Sequence, residues 1–126
     1  RSSDLSYEKA VELLPSNSLF RADLGRVQLE LNDLKLLPGA ITNFQISLEK
    51  EPQRPFIWKQ LGITFGRLNM IGKSSRALAE SALLKGLSKD AIRLAKKAKK
   101  YLPKHSPGWI RAEDIIIAAQ NIERKR

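Results

Sequence analysis

The 126-residue sequence predicts an all-α fold, a solenoid of about seven antiparallel helices forming one domain across residues 1–126. Two observations predict it. A quartet of residues (small, aromatic, small, proline) recurs three times at the same spacing, and a Trp-Leu-Gly-Phe pattern at helical spacing follows directly on Pro55. The quartet comprises Ser3, Tyr7, Ala10 and Pro15, then Ala40, Phe44, Ser47 and Pro52, then Ala91, Ala95, Ala98 and Pro103, with Ala in place of the aromatic in the last copy. Small residues let two antiparallel helices approach closely, the aromatic fills the hole beside them, and proline stops the helix. Each helical hairpin then needs a neighbour to cover its open face.

The elements follow in order from these anchors. A helix near residues 3–14 carries the first quartet, and one near 18–32 carries Leu24-Gly25, with Arg21 standing where a bulky aromatic is expected. The loop around Asn32-Asp33 holds about three residues more than a strict repeat of about 34 residues. A helix near 37–50 carries the second quartet, and Pro55 opens a helix near 55–69 containing Trp58, Leu61, Gly62 and Phe65. The helix near 73–86 reads equally well as the partner of the one before it or of the one after it. A helix near 88–102 carries the third quartet. Ser106-Pro107-Gly108-Trp109 gives an N-cap, a proline in the first turn and a last helix near 106–122, whose Ile110, Ile115, Ile116, Ala119 and Ile122 suit a terminal cap.

Composition narrows the function. Hydrophobic residues at 42% and charged residues at 29% are too apolar a mix for a disordered chain. With no cysteine, disulfides and thiolate metal sites are excluded. Apolar runs such as Ile115–Ala119 fall far short of the roughly 20 residues that cross a bilayer. The start at Arg1, without methionine or an apolar leader, is expected of a stretch cut from a longer or processed chain. The net charge of +10 is uneven: residues 1–63 hold eight basic and eight acidic side chains, residues 64–126 fifteen and five.

Trp58, Leu61, Gly62 and Phe65 reproduce the tetratricopeptide (TPR) first-helix pattern W-x2-L-G-x2-Y with Phe for Tyr, and the quartet reproduces its second-helix pattern. Two longer stretches, Pro55–Arg67 and Leu102–Ile115, with the run Ala77–Gly86 between them, resemble the C-terminal TPR region of BepA-like bacterial zinc metallopeptidases, with an alphaproteobacterial flavour. The resemblance spans roughly residues 7–117. It implies a periplasmic substrate- or partner-binding domain of a protease engaged in outer-membrane protein quality control. It also implies zinc bound by an H-E-x-x-H helix in an upstream domain. No such motif is present here, and the single histidine, His105, cannot supply the three ligands of a catalytic zinc. No catalytic, metal or cofactor residue is therefore expected, and His105 is expected exposed in the turn between Pro103 and Pro107.

In a TPR stack the first helix of each hairpin lines a peptide groove. The resemblance places Ala22, Arg26, Leu29 and Glu30 from one helix, and Phe56, Lys59, Ile63 and Arg67 from another, in that groove. Arg26, Lys59 and Arg67 would pair with carboxylates and Phe56 would anchor an apolar side chain, which favours an acidic ligand. Arg26 stands where the carboxylate clamp of chaperone-binding TPR proteins has Asn. A second feature is the basic face Lys89, Arg93, Lys96, Lys97 and Lys100, opposite the stripe Ala91, Leu94, Ala95, Ala98 and Leu102. Trp58 and Trp109 are expected in the core. Docking of the chain onto its own protease domain is a further expectation of the resemblance. The alternatives are a free-standing cytoplasmic TPR scaffold, and a basic module docking RNA or anionic membrane. Nucleic acid is the weaker of those two partners, because only Tyr101 interleaves with the basic run.

Overall fold

A computed structural model describes residues 17–126, and all their regular structure is helical. The elements are α1 (Ser18–Glu30), a 3-10 turn (Leu34–Leu36), α2 (Leu37–Lys50), α3 (Pro55–Arg67), α4 (Ile71–Leu84), α5 (Ser88–Tyr101) and α6 (Pro107–Arg124). The helix expected near 3–14, with the quartet Ser3, Tyr7, Ala10 and Pro15, lies outside the described residues. Local chemistry sets the ends. Asn17 accepts the Phe20 N–H at 2.8 Å to cap α1, while α2, α3 and α6 carry proline in their first turn, where its missing N–H costs nothing. Asn32, Asn69 and Gly86, at φ 55°, 61° and 73°, take the left-handed conformation that stops α1, α3 and α4. That is why α1, α3 and α4 each end two residues before the expected boundary.

The chain divides at Pro52 into two compact units. In the first, α1 and α2 pack antiparallel. A Cβ on Gly25 would lie 2.9 Å from the Phe44 ring, so the ring occupies the space that glycine leaves. The Ser18 hydroxyl lies 2.9 Å from that of Ser47. Arg21, in the place expected for a bulky aromatic, donates to the buried Asn43 amide oxygen at 2.9 Å, and Asn43 donates to Gln28 at 2.7 Å. A hydrogen-bonded pair thus replaces an apolar plug.

In the second unit α3 and α4 pair by the same contacts. A Cβ on Gly62 would lie 2.7 Å from Leu78 Cγ, and the Ser81 hydroxyl donates to the Pro55 carbonyl at 2.9 Å. Gly25 and Gly62 are 37 residues apart, as are Asn32 and Asn69, whereas Phe44 and Leu78 are 34 apart, as are Ser47 and Ser81. The difference of three is the 3-10 turn Leu34–Leu36, which accommodates the extra residues of the first loop. This equivalence pairs α4 with the Trp58 helix, the question the sequence left open. The third quartet therefore falls on α5, a first helix by the same count. Its Ala91, Ala95 and Ala98 are fully buried because α5 runs between α4 and α6 and must approach both. α6 also reaches α4, and Ile115 and Ala119 close the core.

Close approach at Gly62 is directly testable. Gly62→Val adds branches where even one carbon has no room, and should cost about 2 kcal/mol or more by urea unfolding. Adding Leu78→Ala makes space, so the double variant should lose less than the sum of the two single losses.

Candidate functional site

α4 organises the second unit because its two sides do different work. Arg76 and Glu80 lie on one side; Leu78, Ala82 and Lys85 lie about 180° around the helix. On the first side Glu80 is 4% exposed, and its carboxylate is held by Arg111 of α6 through two hydrogen bonds, at 2.8 and 2.7 Å, and by Arg76 at 3.0 Å. The Arg76 guanidinium lies 5.0 Å from the Trp58 ring centroid. Helices α3, α4 and α6 are thus tied by one charge network. Hydrogen bonding to Glu80 raises the Arg111 pKa, while burial lowers that of Arg76 against the pull of Glu80. A carboxylate this buried is tolerable only with such partners.

On the opposite side α3 and α5 splay apart across α4 and leave a cleft of about 270 Å³. Leu78, Ala82, Leu87 and Leu94 line it with apolar surface, and Lys59, Lys85, Arg93 and Asp90 bring charge to it. Asp90 lies 3.6 Å from Arg93 in an exposed pair, a contact of small energetic weight. The cleft is smaller than the ~300–1,000 Å³ typical of small-molecule sites, and suits an inserted side chain from a partner segment.

The structure redistributes the residues expected to form a groove. Lys59 lines the cleft, Phe56 and Arg67 are exposed on α3, and Ile63 is half-buried. Ala22 and Leu29, expected to face the groove, are buried at 5% and 4% exposure: they lie on the α1 stripe that includes Gly25, the residue against Phe44. Arg26 is flanked by Asp23 at 3.7 Å and Glu30 at 3.5 Å on its own helix, so two carboxylates already compete for it. These four residues belong to the first unit and the other four to the second.

The basic face stands out from α5, with Lys89, Arg93, Lys96, Lys97 and Lys100 all exposed. Arg93 belongs to both this face and the cleft, so two features that are separate in the sequence meet at one residue. Lys85 and Leu87 were missed as cleft residues because they flank a turn, where helical periodicity says nothing about direction. Lys99, on the same helix, instead turns to Glu113 at 3.2 Å and lies 4.6 Å from the Trp109 ring centroid. Trp58 and Trp109 are half-buried rather than core residues, each with a cation beside its ring. His105 is exposed at φ 67°, with its ring edge-on to Trp109 at 4.9 Å. Among the described residues no group of three His, Asp or Glu could hold a metal ion, and no helix is long and apolar enough to cross a membrane. No known protein-family model matches the chain, and neither does any curated protein.

Removing one member of the charge network separates its parts. Glu80→Ala leaves Arg76 without its partner and should cost about 3 kcal/mol or more, while Arg111→Ala, which leaves the Glu80–Arg76 pair, should cost clearly less; thermal unfolding of both variants compares them.

Proposed function

We propose that this chain is a TPR-like helical-repeat module that binds a segment of a partner protein in the cleft between α3 and α5, and contributes binding rather than catalysis. One observation carries the reading most: a glycine under a bulky side chain recurs, as Gly25 under Phe44 and Gly62 under Leu78, with a serine closing the other end of each hairpin. Repetition of one hairpin design is the mark of a stacked-repeat scaffold, whose use is surface for recognition. Charge gives the ligand its character. Lys59, Lys85 and Arg93 outnumber Asp90 around apolar walls, which suits an extended segment with an aliphatic or aromatic anchor beside carboxylates.

The resemblance to the C-terminal region of BepA-like metallopeptidases gives this module a setting: a periplasmic accessory domain that raises the effective concentration of a client near a zinc centre on the same chain. An upstream reading frame encoding an export signal and H-E-x-x-H supports that setting; a frame encoding only further repeats favours a free-standing scaffold.

Binding is measured by fluorescence anisotropy with a labelled peptide carrying one Leu or Phe among Glu residues. Wild type should bind it, and Lys59→Glu with Arg93→Glu should weaken binding by about tenfold or more, with a further loss as salt rises. An affinity unchanged by those substitutions contradicts the cleft as the site.

A further inference from the structure

At the α4–α5 turn the second unit places its exposed leucines and a dense group of its cations together. Gly86 reverses the chain at φ 73°, and Leu84 and Leu87 on either side of it are 39% and 48% exposed. The end of α6 is fastened to the same turn: the Arg126 guanidinium donates to the Gly86 carbonyl at 2.7 Å, and the Ser88 hydroxyl is hydrogen-bonded to the Glu123 carboxylate. The segment that carries Lys85 and Lys89 therefore lies against the end of α6 that carries Arg124, Lys125 and Arg126, about 40 residues later in the chain. Two acids lie nearby, Glu123, hydrogen-bonded to Ser88, and Asp90, 3.6 Å from Arg93, so the cations outnumber them.

We infer that this end of the unit docks onto an anionic lipid bilayer, with Leu84 and Leu87 entering the headgroup region and the surrounding cations meeting lipid phosphates. Both halves of the chemistry are needed. Cations alone would be drawn equally to any polyanion, but two exposed leucines on a turn that also carries Lys85 and Lys89 gain by leaving water only against an apolar phase. Nucleic acid is disfavoured, because residues 83–89 and 122–126 contain no aromatic side chain on which a base could stack. Lys85 and Leu87 also border the cleft, so docking would bring the mouth of the cleft close to the membrane surface.

Three residues outside the cleft, Leu84, Lys89 and Lys125, make the test independent of peptide binding. The 126-residue chain is sedimented with vesicles of about one part phosphatidylglycerol to two parts phosphatidylcholine, and with phosphatidylcholine alone. Wild type should partition onto the anionic vesicles only, and less so as salt rises. Lys89→Glu with Lys125→Glu should lower partitioning by about tenfold or more, and Leu84→Ser alone should lower it measurably at unchanged helicity by circular dichroism. Equal binding to neutral vesicles, indifference to Leu84→Ser, or stronger retention by oligouridylate or polyglutamate than by the anionic vesicles would each overturn the inference. Affinity for the acidic peptide, measured on the same variants, should stay at the wild-type level and shows that the cleft is intact.

Discussion

The close approach of paired helices at Gly25 and Gly62 is the constraint on which the rest of this structure depends. With no side chain at these positions, Phe44 and Leu78 drop into the opposing helix, and the hairpin closes at a fixed register. Interior packing is dense enough that a single added carbon would be felt. The other contacts follow from that register: Ser47 meets Ser18, and Ser81 meets the Pro55 carbonyl, about two turns before the glycine in each case. The alanines of α5 extend the logic to a helix covered on two sides.

Close packing on one side of α4 leaves consequences on the other. The Arg76–Glu80–Arg111 network draws α6 onto α4. Across the helix, α3 and α5 remain apart and leave Leu78 and Ala82 to line an open cleft. The site is thus a product of how the unit packs, and the cations beside it come from two different helices and one turn. A buried carboxylate shared by two arginines is an expensive way to join helices, and it fixes which sides of them meet.

Much of this organisation was legible in the sequence. Helix number and order across the described residues follow from proline and glycine punctuation, and the extra residues of the first loop are visible as a break in spacing. Reading α4 as the partner of α3 was not possible, because Ala-rich runs such as Ala77–Ala82 and Ala91–Ala98 fit either role. The contacts of Gly62 with Leu78 and of Ser81 with Pro55 distinguish them. Ala22 and Leu29 were misplaced for a related reason: small and aliphatic residues suit the floor of a groove and the inside of a hairpin equally well. Lys59 and Arg93 were both recognised as surface cations, but their convergence on one cleft depends on the splay of α3 and α5, which no local pattern encodes. The tryptophans were misjudged because their cation partners, Arg76 and Lys99, lie on neighbouring helices.

The central claim, that the cleft between α3 and α5 is where a partner segment lies, is tested most directly by mapping amide chemical-shift changes on the isotope-labelled 126-residue chain during titration with an acidic peptide carrying one apolar anchor. The account predicts that the largest changes gather at Lys59, Leu78, Ala82, Lys85, Leu87 and Arg93, on the side of α4 where α3 and α5 diverge. Changes concentrated on α1 around Arg26 and Glu30, or spread along Lys96–Lys100 with the cleft silent, would contradict it.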